Sequence, residues 1–287
     1  MPMRQIFDAP PRILIRETGK PLLPIAAPPL HVQWKDLGSK LLDLVSVDRP
    51  LWLLTASVVL ALVLYLIGIP LYSVPAIASK YPEIFPAAFA ILFALSIYGK
   101  SPSEGPRHNL LKMYLVAMLM SYVTIAAVAA PPGFYTAIAS PSTVSQFVNE
   151  VETFRSTYTT LPAMSFAIFA HNLEIDLLSY VPVAGAALFG FSMMDTSSLV
   201  WAAGASSMMA GNQLWYAYVL SVLLAPDTFT EFSSYAIAVV GGYTLYHALT
   251  TGDRRGIWVS LALLAASVAL LYASATLEAW LILYVGA

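Results

Sequence analysis

The sequence predicts an all-α protein, a polytopic helical membrane bundle with about seven transmembrane helices. Three observations carry that expectation. Of 287 residues, 59% are hydrophobic and only 10% are charged, against roughly 25% charged in soluble domains. The mean hydropathy is +0.73. Apolar runs of the length that crosses a bilayer, about 20 residues, recur along the chain. A soluble enzyme, a disordered chain and a nucleic-acid binder are excluded as first readings, and the net charge of -2 points to no polyanionic partner. The chain has no cysteine, which removes disulfides, thiolate metal sites and iron–sulfur clusters.

Residues 1–49 read as a cytoplasmic arm. They hold seven prolines, seven of the 14 Lys and Arg, and no apolar core of a signal peptide. Within the arm, Trp34, Leu37, Leu41, Leu44 and Val45 fall at helical spacing over 33–47. That pattern fits an amphipathic helix lying in the membrane interface or packed beneath the bundle.

Residues 50–287 read as one membrane domain. The first span is Leu51 to Tyr72, entered through Asp48-Arg49-Pro50. The second is about 82–99 and the third about 108–130, stopped by Pro131-Pro132. The outer loop 131–161 follows. In it, Thr143 and Gln146 suggest a capping box for a helix over 144–155. Its stripe of Val144, Phe147, Val148, Val151 and Phe154 would pack on the membrane face of the protein, with an unknown partner as the alternative. The apolar stretch 162–194 is too long for one perpendicular crossing. It is expected to break near Pro182, with one half interfacial or re-entrant, and to cross once. Spans at 197–224, 229–250 and 256–284 complete the set.

Charge placement orients it. The basic arm, Lys100 and Arg107, and Arg254 and Arg255 fall on one side, leaving Lys80 and Arg155 outside. The positive-inside rule then places the N-terminus in the cytoplasm and the C-terminus outside a multi-pass cell membrane. Trp52, Trp201, Trp258 and Trp280 are expected as interface anchors.

No zinc-protease, serine-nucleophile or phosphate-loop motif occurs, and the last span has no lysine for a retinal Schiff base. No catalytic residue, metal site or cofactor is expected. Ionisable residues inside a membrane are costly, about 2.5–3.5 kcal/mol each on insertion scales, and are functional candidates for that reason. His171, Asn172, Glu174 and Asp176 form the densest group, followed by Glu231, His247 and Glu278. Asn172 and Asp176 are one helical turn apart, as are His171 and Glu174. No Lys or Arg lies within a span to pair with the acids. They are expected to be protonated, hydrated, bonded to hydroxyls or backbone, or paired with His171 or His247. Gly185, Gly190, Gly241 and Gly242 are expected where helices approach closely, with Ala238 and Gly242 as a small-residue pair.

Three segments resemble the stage II sporulation protein M family of polytopic membrane proteins. Phe169-Ala170-His171-Asn172-Leu173, leading into the glycine-containing 183–194, looks like that family's Asn-containing helix followed by a Gly-rich one. Pro226-Asp227-Thr228-Phe229-Thr230-Glu231, then Ala236-Ile237-Ala238 and Gly241-Gly242, is similar to its Pro-His-Gly-x-x-Glu element, with Asp227-Thr228 replacing His-Gly. Ala273-Ser274-Ala275-Thr276-Leu277-Glu278-Ala279 resembles its final helix. The resemblance covers about 165–282, and the family's Asn-Gly after the Gly-rich helix is not evident here. It implies a non-enzymatic scaffold or accessory subunit, of the kind that in spore formers holds cell-wall hydrolases at a septum and that in archaea occurs without sporulation. The expected partners are the lipid bilayer and other membrane subunits or further copies of the chain. A permease or proton-coupled carrier using the buried acids is the alternative, and a haem-binding redox subunit using His171 and His247 a third.

Overall fold

The structure, a computed structural model, describes residues 84–98, 106–129, 139–208 and 224–285, together with Thr55 and Val59. The arm, its amphipathic helix and most of the span at 51–72 lie outside the described residues. All the described residues belong to one unit, Gly38–Ala287.

The described chain is all-α. Helix α1 spans Ile84–Tyr98, α2 Pro106–Ala129, α3 Pro141–Thr157, α4 Leu161–Ser179, α5 Ala184–Met208, α6 Pro226–Thr251 and α7 Arg254–Trp280, continued by a π turn over Leu281–Val285. Proline opens α2, α3 and α6, where its missing N–H has no helical partner to lose and its fixed φ suits the first turn. Gly252 closes α6 in the left-handed region, at φ 73°, and Asp253 then caps α7 by accepting from the Arg255 N–H. These two residues turn the chain through a corner between helices in almost no length.

Two expected boundaries move. The break near Pro182 is present, but α5 begins at Ala184 and runs without interruption through 195–197 to Met208. The second half of 162–194 is therefore the first half of the next helix, and the boundary expected at 194–197 is absent. The polar run Asp195-Thr196-Ser197-Ser198 lies at the expected boundary between the 162–194 and 197–224 stretches. The helix tolerates it because Asp195 is exposed, while Ser198 turns its hydroxyl onto the Met194 carbonyl at 2.7 Å. In α3, the cap is Ser140 rather than Thr143. The Ser140 hydroxyl accepts from the Thr143 N–H at 3.2 Å, and Gln146 reaches forward to Glu150. The helix starts three residues earlier than the capping-box reading placed it.

Helices α1, α2, α5 and α6 share the larger apolar core, built around Phe89, Phe93, Met113, Met120, Phe189 and Val239. Phe93 meets Phe189 edge-on at 5.3 Å, and Phe189 meets Tyr235 at 5.5 Å, which ties α1, α5 and α6 together. The apolar stripe of α3 turns inward as expected, with Val144 buried and Val148 against this core. Trp201 is also buried there, at 1% exposure. Its ring packs into the core rather than facing outward, as the expected anchor would.

Helix α7 runs antiparallel to both α4 and α6. Met164 and Ile168 pack with Ala275 and Ala279, while Asp176 meets Ser267. Likewise Thr230 meets Ser274 and the Gly241 carbonyl meets Ser260. Among the described residues, one helix is long and apolar enough to cross a membrane. It is Arg254–Val285, of 32 residues, and only 17% of its most apolar window is buried. Pro86–Tyr98 and Leu110–Ile125 are shorter apolar stretches.

Candidate functional site

The seam between α4, α6 and α7 holds most of the singled-out polar residues. On α7, Ser260, Ser267 and Ser274 recur every seven residues, and all three are at most 2% exposed. Seven residues are two turns, about 10.5 Å of rise, so the three hydroxyls form a column of evenly spaced rungs on one face.

Each rung reaches a different neighbour. Ser260 donates to the Gly241 carbonyl at 2.8 Å and also bonds the Tyr180 hydroxyl. Ser267 donates to Oδ2 of Asp176 at 2.9 Å. Ser274 donates to the backbone carbonyl of Asp227 at 2.7 Å and accepts from Thr230 at 2.9 Å. Hydroxyls suit such a seam because they are small enough for close helix approach and still supply a donor.

Glycine makes the approach possible on the α6 side. A methyl on Gly242 would collide with the Tyr180 carbonyl oxygen, and one on Gly241 would sit 2.9 Å from the Tyr180 ring. Gly185 lies equally close to the Ser179 carbonyl, and Gly190 sits 2.9 Å from Phe93 Cβ by the same measure. All four glycines occupy the close-packing positions expected of them.

The structure divides the 171–176 group. Asn172 and Asp176 are buried on the seam face, whereas His171 and Glu174 are exposed on the other side of α4. The one-turn spacing within each pair already separates the two faces. Asp176 is 0% exposed. Its Oδ1 has no hydrogen-bond partner among the described residues.

Above Asp176, toward the N-terminal end of α6, the other acids gather. Glu231 Oε1 accepts from the Tyr235 hydroxyl at 2.8 Å. Tyr235, 2% exposed, lies within electrostatic reach of Glu231, Asp176 and Glu278. Glu278 in turn feels Glu231, Asp227 and the positive charge of Arg155. The charge facing the acids is thus Arg155, near the end of α3, rather than a histidine. His171 points away, and His247 is half-buried and stacked on Tyr243, with ring centroids 6.5 Å apart. Helices α4 and α6 run parallel, with Tyr180 level with Gly241 and Gly242. His171 and His247 therefore differ in height by on the order of 22 Å, too far to ligate one haem from its two faces.

Reading the sequence alone missed Ser260, Ser267, Ser274, Tyr180, Tyr235 and Asp227 as members of this arrangement. The seven-residue recurrence of serine in an otherwise apolar segment was the available signal. No protein-family model matches the chain, and neither a curated protein nor a solved structure is significantly similar to it. No group of three or more His, Asp or Glu among the described residues is arranged to hold a metal ion.

Proposed function

We propose that the protein is a multi-pass integral membrane scaffold or accessory subunit without catalytic chemistry of its own, similar to the stage II sporulation protein M family. The observation that carries this reading is the seam. The three segments resembling that family lie on α4, α6 and α7, far apart in sequence, and they meet in one place. Ser274 of the third segment donates to the Asp227 carbonyl of the second and accepts from its Thr230, Gly242 of the second packs on the Tyr180 backbone of α4, and beside the segments Ser267 bonds Asp176. Such mutual engagement suits a fixed platform.

The membrane assignment draws on the distribution of polarity. Serine, threonine, asparagine and aspartate are buried, while Leu111, Leu115, Phe166, Leu249, Leu261 and Trp258 are exposed. That inversion matches a bundle whose solvent is lipid. On α7, Trp258 is 72% and Trp280 46% exposed. They are 22 residues apart, or about 33 Å along the helix, close to the hydrocarbon thickness their anchoring role requires. Seven crossings follow from the 51–72 stretch with α1, α2, α4, α5, α6 and α7. Helix α3 then belongs to the outer face, the N-terminus to the cytoplasm and the C-terminus to the outside. The parallel course of α4 and α6, with α7 opposed, agrees with this order.

Extraction in a mild detergent followed by affinity purification of the tagged full chain tests the proposal. A stoichiometric protein partner, together with no solute flux in proteoliposomes, is the expected result. A homogeneous, partner-free species that carries out transport would replace the scaffold reading with the permease.

A further inference from the structure

Asp176 differs from the other polar groups in the seam. Ser260 and Ser274 meet backbone carbonyls, but the middle rung meets a carboxyl that is wholly enclosed and half satisfied. One oxygen takes the Ser267 hydrogen bond and the other has none among the described residues. An ionised carboxylate only accepts hydrogen bonds, whereas a protonated one also donates. A buried oxygen without a donor is therefore a place where a proton can reside.

The surroundings serve both states. Asn172, one turn earlier on the same face and 9% exposed, carries an amide that can donate to the ionised form or accept from the protonated one. From α6, Tyr235 and, beyond it, Glu231 face the site. From α7 comes Ser267, and farther along it Glu278 acts on Tyr235. The charge of Arg155 reaches Glu278 from α3. Among the described residues, every titratable neighbour named here other than Arg155 is an acid or a phenol, and no cation among them adjoins Asp176 itself. Along α7 the Ser267 level lies near the middle of the Arg254–Val285 helix, the depth at which an ionisable group is most costly and most often functional.

We propose that Asp176 is an exchangeable-proton site at the centre of the bundle, with Tyr235 and Glu231 as the polar path that connects it to the end carrying Asp227 and Glu278. The ligand is a proton, and binding converts a carboxylate that only accepts into a carboxylic acid that donates through Oδ1. The site does not require a partner protein or solute transport, so it stands or falls separately from the scaffold reading.

Infrared difference spectroscopy on the full chain in lipid nanodiscs, taken between alkaline and acid buffer in H2O and D2O, reads the site directly. The expected result is a protonated-carboxyl carbonyl band that appears on acidification, shifts in D2O and is lost in Asp176→Asn. In Tyr235→Phe and Ser267→Ala, which retain the carboxyl, the same band should move in frequency. An unchanged band in folded Asp176→Asn overturns the proposal. If Asp176→Asn does not fold, an unmoved band in both Tyr235→Phe and Ser267→Ala overturns it instead. A spectral change driven by sodium ion at constant pH, with none driven by acid, also overturns it in favour of a metal cation.

Discussion

The Cα of Gly242 lies against the backbone carbonyl of Tyr180, so close that no side chain fits between them. The obstacle is backbone at the end of α4, which cannot rotate away as a side-chain tip could. Gly242→Ala is expected to push α4 from α6 and cost about 1–3 kcal/mol, the usual range for overpacking. Gly252→Ala supplies the contrast. A methyl there meets nothing within 4 Å, but φ is 73°, so its cost is conformational, about 1 kcal/mol. Thermal unfolding in detergent should show both losses. Only Gly242→Ala should also weaken the Ser260 contact with Tyr180, visible as faster hydrogen exchange around 180. Equal exchange in the two variants would show that the close contact is not what matters.

Ser267→Ala removes the hydrogen bond that the Asp176 carboxyl accepts from a side chain among the described residues. Leaving a buried acceptor unsatisfied costs about 1–3 kcal/mol, whereas the average interhelical hydrogen bond in a membrane is worth about 0.6 kcal/mol. Ser267→Ala is accordingly expected to cost more than Ser274→Ala, whose lost partner is a backbone carbonyl. A double-mutant cycle with Asp176→Asn should give a coupling on the order of 1 kcal/mol. Strict additivity would mean that the 2.9 Å contact contributes no specific energy.

Val183 sits in the turn between α4 and α5 at φ 66° and is the one non-glycine residue with positive φ among those described. A β-branched side chain is poorly suited to that region, at a cost of roughly 1–2 kcal/mol. It is 47% exposed, so little packing is lost on removing it. Val183→Gly is expected to raise the unfolding midpoint by relieving about 1 kcal/mol, partly offset by the freedom glycine gains in the unfolded chain. A lower midpoint would show that the valine side chain holds the turn in some other way.

Ser140→Ala should fray the first turn of α3 at a cost of about 1 kcal/mol, because the Thr143 N–H loses its acceptor. Gln146→Ala, which the capping-box reading would have made equally harmful, should have little effect on that turn. Hydrogen exchange at 141–144 separates the two. Loss of protection in Gln146→Ala alone would restore the earlier cap.

Much of this architecture is visible in the sequence at the level of helix type and extent. Proline and glycine punctuation locates α1, α2, α6 and α7 to within a few residues, and the break at Pro182 is plain. The shift of α5 was hidden because Asp195-Thr196-Ser197-Ser198 has the composition of a helix end. Only the three-dimensional setting shows that the Ser198 hydroxyl bonds back along the helix. The polar candidates were legible as types and not as partners. The spacing of Asn172 and Asp176 told that they share a face, but not that the face meets Ser267. The sequence places Arg155 in an outer loop, and a charge some 120 residues from Glu278 in sequence gives no sign of proximity to it.

The column of serines on α7 has a further consequence. Three identical rungs at equal spacing are indifferent to sliding. If α7 slipped by two turns against its neighbours, a serine would still face most of the same levels, and the apolar surface would be nearly unchanged. What distinguishes one alignment from the other is that a single rung faces an acid. Asp176 is the tooth that fits only one notch, and a seam of interchangeable hydroxyls acquires a unique registration from one carboxyl group.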